Sequence, residues 1–349
     1  MSRARCGGAG KDARLRAQPR HPRRAPHPSL IALVDSMIRR LFAAVLALGG
    51  ALLSSTPAHA WDEVGHKVVA RIAWDNMTPR AREQAVALLM AAPEDAGLRT
   101  FMPNDARPLA ERQREFFVNA AVWADVIRGR SFVGNRYAHS DWHYVNFFWE
   151  QRTPGGPAIE RPDLPLAGEL LNQLSRYPAR LGNESLPAAE RAIDLAWTLH
   201  LVGDAHQPLH NSARVTPQDT AGDRGGNSFQ LAGLYPFNNL HAFWDSLVGF
   251  AIPWARADRT EDDYVGSVAS RIEAEYPRRR MQDQVKPGRF EDWSREGLRV
   301  AERSAYPAWL VRGEHAPLRY RAVAWNAGEP RVALAGYRLA DLLNRAFGS

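Results

Sequence analysis

The chain has one cysteine in 349 residues, Cys6, and it lies ahead of an apolar run that reads as an export signal. Whatever follows that run is held together without disulfides, and iron–sulfur clusters, thiolate zinc sites and a cysteine nucleophile are excluded with them. Stability there has to come from a hydrophobic core and from any bound metal, and an apolar fraction of 45% is enough to build a core. The run starts at Met37: a basic segment (Arg39, Arg40), the apolar stretch Leu41–Leu53, then an Ala58-His59-Ala60 exit. That is the pattern of a cleaved secretory signal, too short for a retained membrane helix. The Arg39-Arg40-Leu-Phe42 run also weakly resembles a twin-arginine signal.

Residues 1–36, rich in Arg, Pro and His, read as an extension from a start codon placed too early. The expected organisation is a leader over 1–60 (extension 1–36, signal peptide 37–60) and a single domain over 61–349, secreted or periplasmic and without a membrane anchor. Charge divides at the same place. Residues 1–60 hold ten of the 45 basic and two of the 38 acidic residues, which leaves 35 against 36 beyond them. The net charge of +7 therefore belongs to the leader and gives no argument for a basic nucleic-acid-binding surface.

Helical spacing dominates the body. Val64, Val68, Val69 and Ile72 recur on one face, and Thr78-Pro79 has the cap and first-turn proline that start a helix. Pro187–His206 reads as a long helix stopped by Gln207-Pro208, with further helices over His241–Phe250, Trp293–Tyr306 and Val332–Phe347. Strand-like alternation is confined to Ser228–Leu231, inside a Gly/Pro/Asn/Asp-rich connection spanning Asn211–Asn239. The fold class expected is all-α, with a long loop pinned by something.

His200 and Asp204 are four residues apart and share a helix face; His210 follows just past the proline; His241 and Asp245 repeat the same spacing. One such pair reads as an ordinary helix ion pair. Two pairs plus His210, among eight histidines after residue 60, point to imidazole and carboxylate ligands for zinc. Asp125 with Arg128, His143 in the Trp142–Asn146 run, and His66 near Trp61 add donors. Cleavage ahead of Trp61 would also free an α-amino group able to bind metal.

The segments WDEVGHKVVARIA, VWAD, DWHYVNF, HLVGDAHQPLH, GGNSF and NLHAFWD occur in one order. That order resembles the zinc-dependent single-strand nucleases and 3′-nucleotidases of fungi, plants and bacteria, relatives of bacterial zinc phospholipase C. The likeness runs from Trp61 to about Gly249 and returns in AGYRLADLL; residues 250–330 carry no matching motif. It implies three zinc ions. Asp125, His143, His200 and Asp204 would hold the first, and His210, His241 and Asp245 the second. The third would take the amino nitrogen and carbonyl oxygen of Trp61 with His66, Asp204 bridging.

The resemblance further implies Arg128 as the guanidinium for transition-state charge and Asp125 as an acceptor for the nucleophile. Tyr144 would stack a base, and Asn227 would donate beside the scissile phosphate. Asn146 stands where the fungal enzymes carry an aspartate, which leaves base preference open. The substrates implied are single-stranded DNA and RNA and 3′-nucleotides, with no obligate protein partner. Two other readings use the same donors: a zinc phospholipase C acting on headgroup esters, and a non-catalytic zinc-binding protein. His206, off the His200/Asp204 face, reads as surface or as support for the ligands.

Overall fold

The computed structural model describes residues 61–153, 155–234, 237–254, 260–286 and 288–348; the leader expected over 1–60 lies outside them. The described chain is mainly helical, as expected. Helices α1 (Glu63–Asn76), α2 (Pro79–Met90), α3 (Leu109–Ala120) and the short α4 (Trp123–Val126) come first. Strands β1 (Phe147–Glu150) and β2 (Ile159–Glu160) precede α5 (Leu170–Arg180) and α6 (Ala188–Asp204). Strands β3 (Ser212–Val215), β4 (Gln230–Leu234) and β5 (Phe237–Asn239) lead into α7 (Leu240–Asp245) and α8 (Leu247–Ala251). Helices α9 (Glu261–Glu275), α10 (Arg278–Met281), α11 (Phe290–Val300) and α12 (Leu318–Phe347) follow.

Capping sets the helix starts. Thr78 Oγ1 accepts from Ala81 N at 3.2 Å with Pro79 in the first turn, and Asp62 accepts from Gly65 N at 3.1 Å to start α1. Helix α6 is the central one, since every residue from Asp194 to Asp204 is buried. A helix apolar all round belongs in the core, and each polar side chain on it then needs a partner. Asp194 takes Arg180 Nε at 2.8 Å, and Thr198 Oγ1 donates back to Asp194 O at 2.7 Å. His200 and Asp204 are left facing inward.

Four sequence-based boundaries change. Helix α12 begins at Leu318 rather than Val332, continuing through Pro330, whose flanking turns are held by packing on α1. The expected His241–Phe250 helix breaks at Ser246 into α7 and α8, and Trp293–Tyr306 becomes α11 followed by a wide turn at Ala301–Ala305. The Asn211–Asn239 connection contains three strands, of which β4 overlaps the expected Ser228–Leu231.

The small β2-β1-β3 sheet positions the site. Strands β1 and β3 run parallel with Phe147 opposite Ser212, and Val145 N donates to His210 O at 2.9 Å. His143 stands four residues before Phe147 and His210 two before Ser212, so this pairing brings the two histidine segments side by side.

Helices α1 and α12 meet closely at Gly336, where an added Cβ would lie 2.4 Å from Ile72 Cγ2 and 3.1 Å from Val69 O. Alanine in a helix is ordinarily about 1 kcal/mol better than glycine. Here the clash outweighs propensity, so Gly336→Ala should destabilise by roughly 1–3 kcal/mol in urea denaturation, and Ile72→Ala, which removes the clashing Cγ2, should cost less in that variant than in the parent.

Candidate metal centre

Side chains from four separate parts of the chain converge at the buried end of α6. Asp204 is fully buried, and its oxygens divide the surroundings between them. Oδ2 lies 3.2 Å from His143 Nδ1 and 3.4 Å from His200 Nε2, while Oδ1 lies 3.3 Å from His66 Nε2. Asp125, on α4, approaches the same nitrogens of His143 and His200 at 3.7 and 3.8 Å. His200 Nε2 and His143 Nδ1 are 3.0 Å apart, and the His66 ring stacks on His200 at 3.9 Å.

A second group stands at α7. His210 Nε2 is 3.6 Å from Asp245 Oδ1, His241 Nε2 is 3.5 Å from Asp245 Oδ2, and the two rings stack at 4.8 Å. In each of three trios the donor atoms lie within 4.8 Å of one another: His66/Asp125/His200, His143/His200/Asp204 and His210/His241/Asp245. Trp61 is buried beside them. Its side chain fills the space over Gly65, and the next peptide is tied to α7 through Asp62 N donating to Asp245 O at 2.8 Å.

Backbone carbonyls orient the imidazoles. His200 Nδ1 faces Ala121 O at 2.8 Å, His210 Nδ1 faces His143 O at 2.5 Å, and His241 Nδ1 faces Gly225 O at 2.7 Å. A carbonyl only accepts, so each Nδ1 carries the proton and each Nε2 presents its lone pair to the cluster. Burial pushes His200 and His210 down to about 4 and lowers His66, His143 and His241, so all five rings are neutral at pH 7. The Asp204 carboxyl moves the other way, well above its ordinary value, through burial first and then the Asp125 and Asp245 charges.

These features test whether a metal suits the residues present. His66 Nδ1 and Nε2, His210 Nε2 and both Asp204 oxygens are buried without a hydrogen-bond partner. Unsatisfied buried groups of this kind cost about 1–3 kcal/mol each. Neutral imidazoles aimed inward, with carboxylates that burial resists charging, are the donor set a divalent cation satisfies. The residues fit.

Arg128 reaches back from the rim, Nη1 donating to Asp125 Oδ1 at 3.2 Å with 19% of its side chain exposed. Tyr144 and Asn146 are both half-buried beside His143. Gly168 packs so closely under Tyr144 that a Cβ there would lie 2.2 Å from Tyr144 O, and Asn146 N donates to Ala167 O at 2.7 Å. Asn227 Nδ2 donates to Arg224 O at 2.8 Å, closing its own turn, so that donor is engaged within the loop. His206 is not at the surface. It is fully buried against Trp293 and Arg338, on the side of α6 away from Asp204's imidazoles.

Two supports escape a reading by residue type. Gln207, which in sequence is only the residue before a helix-stopping proline, donates from Nε2 to Asp245 Oδ1 at 2.5 Å and accepts from Leu209 N, also at 2.5 Å. Gly203 lets the His66 ring lie against α6: a Cβ there would be 2.7 Å from His66 Nδ1. The glycine inside an otherwise strong helix was the available signal for that close approach.

A family model described as S1/P1 nuclease matches residues 61–348. Nuclease PA3 of a Penicillium species and nuclease P1 of Penicillium citrinum are each 22% identical over 299 residues, covering 83% of this chain and 98% of theirs. Endonuclease 2 of Arabidopsis thaliana is 27% identical over 319 residues, covering 85% of this chain and 94% of its own.

Gly203→Ala should displace the His66 ring while leaving α6 helical. Bound divalent metal per chain, counted by elemental analysis, should fall with little change in far-ultraviolet circular dichroism; unchanged metal content would show that His66 is not held by that contact.

Proposed function

The chain belongs to the S1/P1 nuclease family, and from that premise we propose that it is a secreted or periplasmic zinc phosphodiesterase. In this reading it hydrolyses single-stranded DNA and RNA to 5′-nucleotides and removes phosphate from 3′-nucleotides. Membership itself makes the chain a hydrolytic nuclease. The observation that carries the finer reading is the meeting of eight buried His and Asp side chains, drawn from residues 66 to 245, in three adjoining donor groups. No helix among the described residues is long and apolar enough to cross a membrane, which is compatible with an exported enzyme.

Three zinc ions are assigned to these donors. Asp125, His143, His200 and Asp204 would hold the first, and His210, His241 and Asp245 the second. The α-amino nitrogen and carbonyl oxygen of Trp61, with His66 and Asp204, would hold the third. The split of Asp204's oxygens between His66 and the His143/His200 pair supports its bridging place. Bound zinc would lower the pKa of a coordinated water toward neutrality and neutralise charge building on phosphate.

The protein's own groups do the rest. Asp125 accepts a hydrogen bond from the nucleophile and keeps it oriented. Arg128, which donates to Asp125 at the rim, brings its guanidinium charge to the phosphate as charge develops. Tyr144 offers a half-buried ring beside His143 on which an unpaired base stacks, and Asn146 and Asn227 line the approach. That ring favours nucleotides over phospholipid headgroups as substrate.

The zinc assignment has a direct test: protein beginning at Trp61, and protein with one residue retained ahead of it, each assayed for zinc content and for cleavage of single-stranded DNA, RNA, 3′-AMP and phosphatidylcholine. The first should carry three zinc ions and lose nucleotide cleavage in chelator. The second should lose the third ion and most activity, because an amide nitrogen cannot replace the amine, whose ordinary pKa is about 8. Full activity in chelator would refute the metal mechanism.

Recognition and chemistry separate by substitution. Tyr144→Ala should weaken nucleotide substrates by about 1–3 kcal/mol and spare a baseless phosphodiester. Arg128→Ala should lower turnover on both, since phosphate is common to them. Equal losses on both substrates for Tyr144→Ala would assign that ring to packing.

A further inference from the structure

Away from the metal centre, a cleft of about 410 Å³ opens between α11 and α12. Its floor is charged. Arg331 and Arg338 are 4% and 0% exposed, and both bind the same carboxylate. Arg331 Nη1 meets Glu296 Oε2 at 2.6 Å, while Arg338 meets Oε2 at 2.8 Å and Oε1 at 2.9 Å. His206 supplies no second anion. Its Nδ1–H goes to Val202 O at 2.7 Å, so its Nε2 is a neutral acceptor for Arg338 Nη1 at 2.8 Å. Two buried guanidiniums therefore share one negative charge.

The rim adds to the surplus. Arg299 and Arg303, four residues apart, are exposed on the same cleft, beside the half-buried Ser304. Neither of these arginines has an ion pair among the described residues. Glu302, on the same turn, is a half-buried carboxylate that Arg303 and Arg299 both attract, so the rim holds two guanidiniums against one acid. Burial pushes Arg331 down to about 10 despite Glu296. A near-neutral body has thus concentrated cationic donors around one concave space.

We propose that this cleft is a second phosphate-binding site, with Arg299, Arg303 and Ser304 closing on the anion from the rim and Arg331, held beneath by Glu296 and the His206 and Trp293 carbonyls, adding fixed positive charge to the floor. Planar guanidinium donors match phosphate oxygens, and the volume exceeds that of phosphate alone, leaving room for an attached sugar. The ligand class is a phosphate group, either on a free nucleotide or in the backbone of a strand. The site does not depend on zinc.

The test uses the zinc-loaded protein and the double variant Arg299→Gln/Arg303→Gln, both positions being exposed and outside the metal centre. Calorimetric titration with inorganic phosphate should find two sites per chain in the parent. In the variant one of them should weaken at least about tenfold, because charge-assisted bonds to phosphate are lost. Zinc content, thermal midpoint and turnover of a dinucleotide should stay unchanged. A 5′-mononucleotide that loses affinity in the variant identifies a terminal phosphate as ligand. An oligonucleotide that alone loses affinity, with a salt slope reduced by about 0.7 per lost contact, identifies a strand. Identical phosphate stoichiometry and affinity in parent and variant would overturn the proposal, as would a fall in thermal midpoint without any change in phosphate binding. Failure of the zinc reading would appear separately, as absent zinc with the cleft still binding phosphate.

Discussion

Asp204 sits fully buried at the end of the central helix, within 3.4 Å of three imidazoles and next to the negative charges of Asp125 and Asp245. A carboxylate in that position cannot ionise cheaply, and a neutral imidazole cannot supply the missing positive charge. Arg128 answers one carboxylate from the rim, which leaves the interior short of cations. The rest of the site is arranged around that deficit. A divalent ion meeting Asp204 and the Nε2 lone pairs removes the desolvation cost and the unsatisfied donors together, which is why ligand geometry and protein stability are one problem here.

Holding the imidazoles correctly falls to the backbone. Carbonyls of Ala121, His143 and Gly225 each take one Nδ1–H, and those carbonyls belong to the end of α3, the approach to β1 and the glycine loop before β4. The β1/β3 pairing couples two of the histidines through the same short stretch, since His143 O accepts from the His210 ring while His210 O accepts from Val145 N. A shift of that register by one residue would turn both histidines away from the cluster. Gln207 plays the equivalent part for Asp245. The short sheet thus has an effect on the site out of proportion to its size.

The donors were legible in the sequence because their chemistry is local. His200/Asp204 and His241/Asp245 carry the four-residue spacing of one helix face, and α6 formed within a residue or two of its expected limits. Placement in three dimensions was not, because it depends on partners far along the chain. His206 looks like a surface residue by its angle on α6, yet α11 and α12 cover that side and bury it. Helix α12 could not be started correctly from local signals, since a proline within it reads as a stop and packing on α1 and its neighbouring helices overrides that. Residues 250–330 carry no recognisable motif, yet they supply Trp293, Glu296 and Tyr306, which hold the back of α6 and the glycine loop. Their contribution lies in complementarity with other segments rather than in a pattern of their own.

Tyr306 shows how far that complementarity reaches. Its hydroxyl donates to the buried Asp223 carboxylate at 2.6 Å, and Asp223 Oδ1 accepts from Arg214 N at 2.9 Å. Asp223 also opens the turn that runs through Gly225 and Gly226, both at positive φ, and at Gly225 a Cβ would lie 2.3 Å from Leu209 O. Gly225 O then fixes the His241 ring. A residue with no metal contact therefore reaches a metal donor through two hydrogen bonds and one strained turn. In a body without a single cysteine, such chains of buried hydrogen bonds are what keep loops from residue 66 to residue 245 in register before any ion binds, and the ion then closes them further by linking the same segments.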